Sequence, residues 1–156
     1  MKIELVSVSS AQEPWFTEAL SAYEKKISHL IDFSVVHLKP SKGSRKSASD
    51  KKQSDAEVLL SYMKSTDYLI LCDEKGTSFT SVAFSKKLES IFSTGKKRVL
   101  FMIGGPYGFP DEVKLKANLL LSLSPWTLNH WLAELVMVEQ VYRAMSIQKN
   151  LPYHNE

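Results

Sequence analysis

One cysteine in 156 residues, Cys72, leaves no intramolecular disulfide framework to consider. Long apolar runs are missing as well. No stretch approaches the ~20 apolar residues of a membrane-spanning helix, and no amino-terminal apolar segment has the length of a signal peptide. The expectation is a cytoplasmic protein with no membrane and no metal among its partners. An excess of one charge is also lacking: 20 Lys and Arg stand against 17 Asp and Glu, a formal net charge of +3. A whole-chain field that weak does not by itself demand nucleic acid, so the distribution of charge must carry that argument. No internal repeat of solenoid period stands out.

What is present is a 44% hydrophobic, 24% charged composition, enough for one compact domain over residues 1–156. Met1 to Val8 reads as a buried strand, and Pro14 to Ile27 repeats its apolar residues at helical spacing, with Trp15 and Phe16 expected in the core. Phe33 to Leu38 is a second strand, ended by Pro40. Residues 40–54 then turn basic, with Lys42, Arg45, Lys46, Lys51 and Lys52 against Asp50. This stretch is expected as a loop, either a solvated connector, the commoner case, or an arm that contacts phosphate. Helical spacing resumes from Ala56 to Met63. A third strand runs from Tyr68 to Cys72, and Asp73 to Gly76 is expected to turn the chain. Ser81 can cap a helix that Gly95 stops. Alternating strands and helices argue an α/β fold with a largely parallel sheet.

Val99 to Ile103 is a continuous apolar run, as in a strand covered on both faces. Gly104, Gly105 and Gly108 follow it at once. Glycines at a strand's carboxyl end let bare amides approach a ligand. The spacing is neither the dinucleotide fingerprint nor a P-loop, so a nucleotide-phosphate site is not expected. Asp111 to Ala117 is read as a short helix and Leu119 to Leu123 as another strand. The polar turn Ser124-Pro125-Trp126-Thr127 then lies at the same sheet edge, and the two loops could enclose one small molecule. From Trp131 to Ile147, 12 of 17 residues are apolar, which predicts a helix buried in the core or against a second copy. Pro152 keeps the tail from continuing it.

Four motifs in this order resemble the small SPOUT-class RNA methyltransferases, most closely the ribosomal large-subunit pseudouridine N3-methyltransferase family. They are IGGPYG at 103–108, LSLSPWTL at 121–128, VEQVYRA at 138–144 and PYH at 152–154. The start at Met1-Lys2-Ile3 and the stretch YLILCDEKG at 68–76 extend the likeness over nearly the whole chain. The resemblance implies a carboxyl-terminal trefoil knot, an exception to the rule against knots. It also implies a homodimer, S-adenosylmethionine as methyl donor, and 23S rRNA within the ribosome as partner. The family's cofactor contacts fall on Cys72, Gly104, Leu123, Ser124, Pro125, Trp126, Thr127 and Leu128.

Methyl transfer from a sulfonium needs an in-line nucleophile and a neutral or mildly negative surround. The imide nitrogen of pseudouridine carries a proton at neutral pH that must be removed or its anion stabilised. Candidates are His154, Tyr153 and Glu139, with Arg143 placed to bind phosphate or neutralise the base's oxygen. A helix-surface ion pair between Glu139 and Arg143 is the plainer alternative. The chain departs from the family pattern at Asn129 for proline, Trp131 after His130, Glu134 for arginine, and Asn155 for a basic residue. Fewer cations mean a weaker hold on phosphate. The competing reading is a cofactor-binding, ribosome-associated protein of the same fold with lost or altered transfer. A plain flavodoxin-like domain is a third.

Overall fold

A computed structural model describes residues 1–9, 12–41 and 47–155. Five strands, β1 (Lys2–Val8), β2 (Asp32–Leu38), β3 (Tyr68–Thr77), β4 (Arg98–Ile103) and β5 (Leu119–Leu121), form one parallel sheet in the order β2-β1-β4-β3-β5. Between and after them run α1 (Pro14–Ser28), α2 (Ala48–Tyr62), α3 (Ser81–Phe92), α4 (Asp111–Lys114) and α5 (His130–Gln148).

The alternation of strand side chains sorts the core into two layers. Val99, Phe101 and Ile103 face a cluster with Phe16, Phe84, Met137 and Val141 from α1, α3 and α5. Leu100 and Met102 face Ala56, Leu59 and Val113 from α2 and α4. Covered faces on both sides explain the unbroken apolar run of β4. Helix α5 packs against both α1 and α3.

Several boundaries differ from the sequence reading. Helix α2 begins at Ala48 rather than Ala56, so Lys51 and Lys52 are helical, while Lys42, Arg45 and Lys46 lie outside the described residues. Ser47 caps it by accepting from the Asp50 amide at 3.0 Å, and polar composition hid the start because α2 buries only Asp55, Ala56 and Leu59. Strand β3 runs on through Asp73–Gly76 to Thr77, with its register against β5 shifting between Cys72 and Thr77. A Cβ on Gly76 would lie 2.6 Å from the Leu120 carbonyl carbon, so only glycine permits this close passage. Thr80, not Ser81, caps α3, accepting from the Ala83 amide; Ser81 Oγ instead donates to Gln140 Oε1 at 2.9 Å. Helix α4 stops at Lys114 and β5 at Leu121, both short of the expected ends. Phe16 is buried, but Trp15 stays 49% exposed at the helix's outer edge.

Candidate functional site

The carboxyl ends of β1, β3, β4 and β5 open into one cleft of about 910 Å³. That is the edge of an open parallel sheet where ligands bind. Its walls bring together the two turns singled out in the sequence. Gly104 to Phe109 form one side; Leu123, Ser124, Trp126, Thr127 and Leu128 form the other, with Cys72 on β3 between them. Pro125 belongs to the second turn but does not line the cleft.

Local chemistry fixes both turns. The Gly108 amide donates to the Gly105 carbonyl at 2.9 Å, and Gly108 has φ of +67°, a left-handed conformation that favours glycine. Gly105 is the closest approach: a Cβ there would meet Asp55 Oδ2 of α2 at 2.6 Å. At Gly104 a Cβ would meet the Phe109 ring at 3.1 Å rather than open cleft. In the second turn, the Trp126 amide donates to Ser124 Oγ at 2.9 Å, an ST-turn that leaves the indole 79% exposed.

The cleft mixes apolar and polar walls, and its charged groups carry both signs. Asp73 pairs with Lys114 at 2.7 Å, which together with the Lys75 amide holds its carboxyl below the usual range against the opposing effect of burial. Burial and neighbouring Asp73 push the Cys72 thiol up to about 12, and its Sγ lies 3.9 Å from Met137 Sδ. Cys72 is thus a neutral wall group and not a nucleophile. Backbone-rich turns and apolar Leu123, Leu128 and Ile103 suit a small ligand with an apolar body.

His154, Tyr153, Glu139 and Arg143 form a second cluster, and none of the four lines the cleft. Glu139 Oε1 accepts from Arg143 Nε at 3.1 Å and from the Tyr153 hydroxyl at 3.0 Å, while His154 Nδ1 lies 3.3 Å from Arg143 Nη1. The Tyr153 ring sits edge-on to Tyr142 with centroids 4.6 Å apart, and the Arg143 guanidinium lies 4.7 Å over it. Burial and hydrogen bonds with Tyr23 and Glu139 raise the Tyr153 phenol above its usual range.

A third group, of which the sequence reading singled out only Glu134 and His130 as family-pattern positions, was not read as a cluster. Glu134 is 0% exposed and accepts from Ser7 Oγ and His37 Nε2, each at 2.7 Å; its Oε1 lies 2.7 Å from His130 Nε2. Burial alone would raise this carboxyl, yet the partners His130, His37 and Ser7 hold it at about 2. The position where the family pattern has arginine thus holds an interior carboxylate in this chain. Asn129 caps α5 by accepting from the Trp131 amide at 2.9 Å, and Trp131 packs edge-on to Trp15. A signal existed: Ser7 and His37 are polar breaks in the alternations Ile3, Leu5 and Phe33, Val35, and the two are register partners.

The fold and cleft define a parallel α/β protein that takes a small molecule between two loops at its sheet edge. Residues 1–154 match the profile of the family described as predicted SPOUT methyltransferase. The chain is 43% identical over 155 residues to a protein of Bdellovibrio bacteriovorus, covering 99% of both. It is 39% identical over 157 residues to one of Parabacteroides distasonis, covering 100% of both, and 36% identical over 157 residues to one of Flavobacterium johnsoniae, again covering 100% of both. All three relatives carry the name ribosomal RNA large subunit methyltransferase H. This chain belongs to the SPOUT methyltransferase family and is a methyltransferase. SPOUT methyltransferases generally use S-adenosylmethionine. Among the described residues, no helix is long and apolar enough to cross a membrane, and no His, Cys, Asp and Glu group could hold a metal ion.

Proposed function

We propose that this chain methylates N3 of a pseudouridine in 23S rRNA, with S-adenosylmethionine seated in the cleft between the glycine turn and the Ser-Pro-Trp-Thr turn. The observation that carries the reading is the convergence of those two turns on one cavity of about 910 Å³ at the sheet edge. The relatives' name supports the ribosomal RNA substrate. Gly104, Leu123, Ser124, Trp126, Thr127 and Leu128 would hold the donor through backbone groups and apolar contact, with Cys72 as a neutral wall. Pro125 would set the shape of its turn from outside the cavity. The donor supplies an activated methyl group on a positive sulfur.

Everything else falls to the protein. Glu139, Arg143, Tyr153 and His154 would orient the acceptor and stabilise its imide anion, with the Arg143 cation facing the developing charge. Within one chain those four stand apart from the cleft, so a homodimer would bring the tail of one copy toward the cleft of the other. Exposed Trp15 and Leu132, on the packed pair α1 and α5, supply apolar surface for that contact. The carboxyl-terminal trefoil knot and the cytoplasmic setting belong to the same reading.

The test is methyl incorporation from labelled S-adenosylmethionine into ribosomes of a strain lacking the modification, alongside calorimetric binding of the donor. Binding with transfer to one pseudouridine is expected. Binding without transfer would instead favour the cofactor-binding alternative.

A further inference from the structure

The Glu134 cluster reaches the cleft through one of its members. His130, the first residue of α5, lines the cleft wall, whereas Glu134, one turn on, is sealed beneath it. The His130 Nε2 atom is buried and lies 2.7 Å from Glu134 Oε1, an ion-pair contact without the alignment of a hydrogen bond. The ring is partly exposed, with side-chain accessibility of 25%. An ionised carboxylate oxygen at 2.7 Å can only accept, so its charge favours the tautomer with the proton on Nε2. The outer nitrogen is then a lone-pair acceptor.

Two further contacts keep the carboxylate ionised and in place. Ser7 Oγ donates to Oε1 from β1 and His37 Nε2 meets Oε2 from β2, both at 2.7 Å, while Gln12 Nε2 lies 2.6 Å from the outer nitrogen of His37. A buried carboxylate thus touches an imidazole that lines the cleft, the pairing used in sites where a buried acid orients a histidine base. Other charged groups lining the same cleft are Lys51, Lys52 and Asp55 of α2, Asp73, Glu74 and Lys75 of β3, and Lys114 of α4.

Resting on the proposed function, we propose that His130 is the proton acceptor for the imide nitrogen of the target base and that Glu134 is its positioning residue. The N3–H bond breaks, its electron pair stays on N3, and the proton moves to His130 Nδ1. A neutral imidazole becomes an imidazolium beside an ionised carboxylate, and N3 becomes the nucleophile. The tail groups then bind and neutralise the base, and Arg143 has no proton to take.

The experiment compares wild type, His130→Gln and Glu134→Gln in three measurements: pH–rate profiles on ribosomes lacking the modification, donor affinity by calorimetry, and ¹⁵N NMR of the histidine rings. In wild type, ¹⁵N shifts should report His130 protonated on Nε2. His130→Gln should lose 10²–10⁴-fold in rate together with the acidic limb of the profile, with donor affinity unchanged. Glu134→Gln should lose the fixed tautomer and about 10- to 100-fold in rate. A His130→Gln enzyme that keeps its rate or its acidic limb overturns the proposal, as does a wild-type ring protonated on Nδ1. That tautomer is read without activity, so it tests the inference separately. Wild-type protein that transfers no methyl overturns the proposed function instead.

Discussion

The Tyr153 hydroxyl donates to Glu139 Oε1 across 3.0 Å, tying the last residues of the chain back onto the third turn of α5. Arg143 shares the same carboxylate oxygen, and Glu139 in turn raises the guanidinium above its usual range. Tail and helix therefore form one polar unit.

Truncation after Leu151 removes Tyr153 and His154 but nothing that lines the cleft. Donor affinity should be unchanged and methyl transfer should stop. Calorimetry and labelled-methyl assays on the truncated chain check this, and full turnover would take both residues out of the mechanism. Tyr153→Phe should loosen the tail by about 1 kcal/mol, the usual net worth of one hydrogen bond.

Gly104→Val should weaken donor binding by an indirect route. The simple expectation is a branched side chain filling ligand space, but its Cβ would meet the buried Phe109 ring at 3.1 Å and 3.2 Å. Displacing Phe109 disturbs the layer that also holds Val6, Met102 and Val113. A loss of about 1–3 kcal/mol in stability should accompany the loss of affinity. Urea melts read the first and calorimetry the second; lost affinity at full stability would restore the direct-blocking explanation.

Acid should unfold the protein through its lowered carboxyls. Glu134 has a folded-state value of about 2 against an ordinary 4.5, and Glu4, Asp67 and Asp73 are lowered too. A depressed value means stability that is fully present above the unfolded value and lost as pH falls from about 4.5 toward 2. For Glu134 alone the loss is roughly 3 kcal/mol. Denaturant midpoints measured from pH 7 to pH 2.5 should fall steeply in wild type and less steeply in Glu134→Gln.

Arg98 anchors the sheet edge opposite the cleft. Its Nε donates to Asp67 Oδ1 at 2.9 Å and its Nη1 to Glu4 Oε2 at 2.8 Å, and both acids are buried. Arg98→Ala would strand two buried carboxylates, with Lys2 left to pair Glu4 at 2.6 Å. The cost should be on the order of 3–5 kcal/mol by chemical denaturation, with donor affinity unaffected in the remaining folded fraction.

The sequence by itself determined the order and kind of elements, the parallel sheet, and the two turns that meet at the cleft. Those follow from short-range facts: apolar periodicity within an element, and glycine or Ser-Pro where a strand ends. The turns at Gly104 and Ser124 were legible because strands of a parallel sheet all deliver their carboxyl ends to one edge. Tertiary structure alone decided that Glu134 is buried, that His130 lines the cleft above it, and that the Tyr153 cluster stands apart from the cleft. Glu134 sits on a helix read as apolar, and its partners Ser7 and His37 lie on two strands far away in sequence. Their meeting is set by strand register and by the packing of α5 on the sheet, which no local pattern encodes.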